Sequence, residues 1–130
     1  MILRSVSLAL GICMAGPVLA DASLECSLSA GSQVEIGDCV AETEARVNAA
    51  LDLALEQARA AAEELDGVTG RAVSVPALDT AQAAWSAWRD AECEFVGSTW
   101  GGGSGTGIAI TACRIGLARD RTEALLASIP

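Results

Sequence analysis

The chain has 130 residues, only four of them aromatic, and a formal net charge of −9. It contains no histidine, lysine or tyrosine, so all eight basic residues are arginine. That inventory excludes a Ser-His or Cys-His nucleophile, a lysine Schiff base, a Walker lysine and a histidine metal ligand, while the acidity opposes nucleic acid and anionic lipid and favours basic partners.

Residues 1–20 read as an export signal. Arg4 precedes an apolar run from Val6 to Ala15, and Gly16-Pro17-Val18-Leu19-Ala20 suits signal peptidase. The run is too short to span a bilayer as a helix. Cys13 raises a lipid-anchored alternative, but Ile12 puts a bulky side chain where a small one is required, which argues against a lipoprotein. Residues 21–130 then form one exported domain, periplasmic or secreted, with seven arginines against seventeen acids and a net charge of −10.

This part of the chain keeps four cysteines, Cys26, Cys39, Cys93 and Cys113. An even number in a small exported domain points to two disulfides formed in an oxidising compartment. Three pairings are open. Short loops beside helices favour Cys26–Cys39 and Cys93–Cys113, each closure stabilising by roughly 3 kcal/mol.

In chain order, Ser32-Gln33-Val34-Glu35 fits a capping box. Ile36, Val40, Glu44, Val47, Leu51, Ala54, Ala58, Ala61 and Leu65 then follow in three- and four-residue steps, one stripe of a long helix. Glu42 with Arg46 and Arg59 with Glu63 are spaced for support along its outer face. Asp66-Gly67 is the expected stop. Pro76 opens a second helix over 77–95, ending at Gly97. Trp100 to Gly107, WGGGSGTG, predicts an irregular surface loop. A last helix covers 108–129 through Cys113, Leu117, Ala124 and Leu125. The expected fold is all-α: a small antiparallel three-helix bundle, or helical hairpin, stapled by two disulfides.

The most specific stretch is WSAWRDAEC, Trp85 to Cys93. Helical spacing of Leu78, Ala81, Trp85 and Trp88 turns both indoles toward the core. Arg89 borders that face and requires a partner. Glu92 is the local choice, Glu44 or Asn48 the cross-helix one. Asp90, Glu92 and Glu94 lie two apart, about 200° around a helix, and so do not converge as a catalytic pair. No calcium loop is present, and GGGSG lacks the lysine and strand of a phosphate loop. The expectation is a structural motif of Glu44, Asn48, Trp85, Trp88, Arg89, Asp90 and Glu92, with no catalytic residue, no cofactor and no metal.

Laid out this way, the chain resembles the LprI-like lysozyme inhibitor N-terminal domain family of exported bacterial proteins. The resemblance runs from about Cys26 to Leu125. It is carried by Ala81-Gln82-Ala83-Ala84-Trp85 and Arg89-Asp90-Ala91-Glu92-Cys93, with Cys39, Glu44-Ala45-Arg46-Val47-Asn48, Gly102-Gly103-Ser104, Cys113 and Arg121-Thr122-Glu123-Ala124-Leu125. Val47, Leu51 and Ala118 depart from the family's pattern at packing positions. The resemblance implies a helical, disulfide-bearing envelope domain and, by its name, inhibition of lysozyme.

Two functions fit. One is an inhibitor steered by charge to a basic lysozyme-type protein, with Trp100, Gly101, Gly102, Gly103 and Ser104 either the partner-binding loop or a plain glycine-rich connector between helices with the tryptophan tucked against the disulfide. The other is a non-inhibitory interaction module of the cell envelope. Neither requires nucleic acid or a membrane span, and the oligomeric state is left open.

Overall fold

The computed structural model describes residues 21–130, so the expected export signal and Cys13 lie outside the described residues. Four helices follow one another: α1 (Ala22–Ser27), α2 (Gln33–Thr69), α3 (Ser74–Ser98) and α4 (Ser104–Ala127). No described residue is in a strand. The long helices run up, down and up. Asn48 faces Arg89 and Arg59 faces Asp79, so α2 and α3 are antiparallel; Gln82 faces Arg121 and Cys93 faces Cys113, which makes α3 and α4 antiparallel too.

α1 is an addition to the expected three. Asp21 caps it by accepting the Ser23 N–H at 2.9 Å, and six residues carry too little periodicity to stand out in a sequence. The Cys26–Cys39 disulfide joins it to α2. Glu25 joins it to α4, accepting two hydrogen bonds of 3.0 Å from the Arg119 guanidinium. Those bonds hold the Glu25 carboxyl below the usual carboxylate range and raise Arg119. Both side chains are a third or more exposed, which limits the pair to about 1 kcal/mol.

α2 begins at the expected cap, with the Glu35 N–H donating to Ser32 Oγ at 3.3 Å. The Glu35 carboxylate reaches one residue further back than a capping box requires and accepts the Gly31 N–H at 2.6 Å. The helix passes through Gly67 and stops a turn later at Gly70, whose φ of 65° provides the left-handed cap. α3 starts at Ser74, before Pro76. Proline is tolerated there because first-turn N–H groups have no intrahelical acceptor. Arg46 pairs with Glu42 at 3.8 Å, whereas Arg59 turns from Glu63 and pairs with Asp79 on α3.

The predicted α2 stripe is the core face over most of its length: Val40, Leu51, Ala54 and Ala58 are buried, while Leu65 at its end is exposed. One cluster joins Leu51, Ala54 and Ala58 to Ala118 and Leu125 of α4; another joins Ala22, Cys26, Val40 and Ile115. Val47 packs against both. α4 touches all three other helices. It buries Ala109, Ile115, Ala118 and Leu125, while Ala124 of the expected stripe is exposed.

Gly97 lies inside α3 and does not end it. A Cβ there would stand 2.5 Å from Ile110 Cγ1 and 2.7 Å from its Cδ1, so glycine lets α3 and α4 close together.

Candidate functional site

On α3 each residue advances about 100° around the axis. Arg89 therefore lies about 40° from Trp85, while Trp88 is turned about 60° the other way. The bundle uses the first direction. Trp85 packs against the core, but Trp88 is 50% exposed, which overturns the expectation that both indoles are buried.

Arg89 is the centre of a cross-helix tie. Its side chain is 17% exposed, its Nη1 lies 3.5 Å from Asn48 Oδ1 on α2, and its Nε lies 3.5 Å from Asp90 Oδ1. Its guanidinium carbon stands 5.0 Å from the Trp85 ring centroid, within cation–π range. Asp90 is shared, since Arg114 of α4 places Nε 3.7 Å from the same oxygen and reaches Glu94 at 3.3 Å. Arg121 adds a second guanidinium near Trp85, at 5.9 Å, and donates to Gln82 Oε1 at 3.0 Å. Of the expected motif, the structure thus brings together Asn48, Trp85, Arg89 and Asp90. Glu44 and Glu92 are partly buried and form no ion pair with Arg89. Gln82, Arg114 and Arg121 complete the tie and were not predicted, because their contacts depend on the register of α3 against α4.

The expected loop is shorter than eight residues. Ser104 is the first residue of α4, and the glycines after it are helical. Gly101, Gly102 and Gly103 remain outside the helices with φ of 65°, 85° and 111°, a backbone path that L side chains rarely follow. Trp100 precedes them and is 58% exposed. Its ring lies on Gly105, where a Cβ would come within 3.1 Å. The indole also forms one wall of a groove whose lining includes Asp21, Leu24, Gln33, Ile36 and Ile108. Leu24 of α1, in that groove, is 61% exposed, and Leu28, which follows α1 as its C-cap, is 83% exposed.

This architecture, a helical domain closed by Cys26–Cys39 and Cys93–Cys113, can be compared with known proteins. The family model described as lysozyme inhibitor LprI matches residues 25–125. The chain belongs to the LprI lysozyme inhibitor family. The LprI match begins at Glu25 of α1 and ends at Leu125 of α4, so it takes in both disulfides and the whole Arg89 tie. An uncharacterized protein of Rhizobium meliloti (strain 1021) is 29% identical over 124 residues, spanning 92% of this chain and 89% of its own length. No solved structure matches. The LprI family is described by inhibition, not by an enzymatic reaction, and the two disulfides belong to an extracytoplasmic, oxidising setting. No described helix is long and apolar enough to cross a membrane.

Proposed function

We propose that this domain binds and inhibits a lysozyme-type muramidase in the periplasm or outside the cell, with no catalysis of its own. The match to the lysozyme inhibitor LprI family across residues 25–125 carries the reading. The charge of −9 supports it, because a basic lysozyme is drawn electrostatically to an acidic partner. The binding surface we assign is the Trp100 end of the bundle. There the indole, Gly101 to Ser104 and the exposed Leu24 combine a large aromatic anchor with a glycine turn.

A cell-wall lysis assay tests this, with oxidised protein spanning residues 21–130 titrated against a basic chicken-type lysozyme at low and moderate salt. The expected result is saturable, stoichiometric inhibition that weakens with salt but persists, and an inhibition constant raised at least about tenfold by Trp100→Ala. Protection that vanishes at moderate salt would return the domain to a non-inhibitory envelope module. Full inhibition by the Trp100→Ala variant would move the binding surface away from this end.

A further inference from the structure

The outer face of α3 bears an apolar seam that nothing in the fold covers. Ala77, Ala81, Ala84, Trp88, Ala91 and Phe95 follow one another at steps of four, three, four, three and four, and every one is exposed. Trp88 and Phe95 are 50% and 64% exposed. These are the steps of a coiled-coil seam, on a flank of α3 centred about 80° around the helix axis from Trp85.

The order of sizes along the seam is self-complementary. Alanine fills its first half and the two large aromatics lie in its second. If a second α3 is laid antiparallel, all six positions pair: Ala77 with Phe95, Ala81 with Ala91, Ala84 with Trp88, and the same again across the two-fold axis. Each aromatic then meets an alanine, and no aromatic meets another. A two-fold interface requires this kind of reciprocity, residue i on j and j on i.

Charge also favours a second copy at this face. Two chains at −9 repel each other, so they can meet only where the acids are absent or already paired. No charged residue occurs from Thr80 to Trp88. Three of the four acids of α3 are held by arginines: Asp79 by Arg59, Asp90 by Arg89 and Arg114, and Glu94 by Arg114; the fourth, Glu92, is partly buried beside the seam and falls opposite the uncharged Thr80 of the second copy in this register.

We infer that the α3 seam is an antiparallel, two-fold docking surface for a second copy of this chain. The seam spans 19 residues, about 28 Å of helix, and a contact of that length lies at the small end of specific interfaces. The dimer is accordingly weak, with a Kd on the order of 10–100 µM. It does not depend on the inhibitor reading.

Sedimentation velocity on oxidised protein spanning residues 21–130 tests the association. The average mass should rise from one chain toward two between about 1 µM and about 500 µM. Ala84→Glu, at an exposed alanine that the fold itself does not need, should keep the helical circular dichroism and thermal midpoint and remain a single chain throughout. Register is read by mixing Ala81→Cys and Ala91→Cys variants with a short bis-maleimide: the mixture should cross-link, and neither variant alone should. A wild-type chain that stays monomeric over the whole range, or an Ala84→Glu variant that dimerises like wild type, would overturn the inference. Cross-linking of either cysteine variant alone would overturn the antiparallel register.

Discussion

The carboxylate of Asp66, near the end of α2, accepts the backbone N–H of Ser74 at the start of α3 at 2.8 Å. It also accepts the N–H of Val75 at 3.1 Å and of Val73 at 3.2 Å. The residue at the α3 cap position, Val73, has no side-chain oxygen to offer. The preceding helix therefore supplies the cap, satisfying donors that would otherwise depend on solvent.

These donors, the Ser74 N–H first, bring the Asp66 carboxyl down from the usual 3.8 to about 2. A carboxylate lowered on folding stabilises the native state above its unfolded value and loses that contribution as pH falls through the folded one. Asp66→Asn should therefore lower the thermal midpoint at neutral pH. The gap to wild type should narrow as pH drops below 3.8 and close near about 2. Paired thermal melts across that window check it; a gap independent of pH would mean that the carboxylate charge has no part in the cap.

Arg89 behaves differently from the expectation of a buried pair. Removing an arginine from a buried ion pair costs about 3–5 kcal/mol because a carboxylate is stranded. Here the paired carboxylate, Asp90, is 53% exposed and keeps Arg114. What Arg89→Ala strands is the half-buried Asn48 amide, together with the loss of the guanidinium over Trp85. The expected loss is about 1–3 kcal/mol by chemical denaturation. Arg89→Lys should recover only part of it, because an ammonium does not reproduce the planar stack on the indole. A loss near 5 kcal/mol would require a buried carboxylate partner.

The long helices, the capping serine and the α2 core stripe were legible because each is written in local spacing. What was not legible depends on a neighbour distant in sequence. Trp88 and Arg89 are both within a turn of Trp85, and only the placement of α2 decides which of them faces inward. Arg59 has Glu63 at helical spacing, yet antiparallel packing brings Asp79 to it. The glycines misled in both directions. Gly67, Gly97, Gly105 and Gly107 read as breaks but are helical, while Gly70 is the stop. In the candidate site, the Trp100 turn and the half of the tie on α3 could be read locally, whereas Arg114 and Arg121 could not.

Gly97 allows the sharpest test of how α3 and α4 pack. In an exposed helix interior, replacing glycine by alanine stabilises by about 1 kcal/mol. At Gly97 the new methyl would stand 2.5 Å from Ile110 Cγ1, which forces the isoleucine off its rotamer or the helices apart. Overpacking of that kind costs about 1–3 kcal/mol, so Gly97→Ala should destabilise by up to about 2 kcal/mol net. Ile110→Ala removes both atoms that the methyl would meet, and in that background the same change should stabilise by up to about 1 kcal/mol. The reversal of sign, read from a double-mutant cycle of chemical denaturation, identifies the close approach as the reason glycine stands there. An equal effect in both backgrounds would show that Ile110 swings clear and that the two helices do not depend on Gly97 to meet.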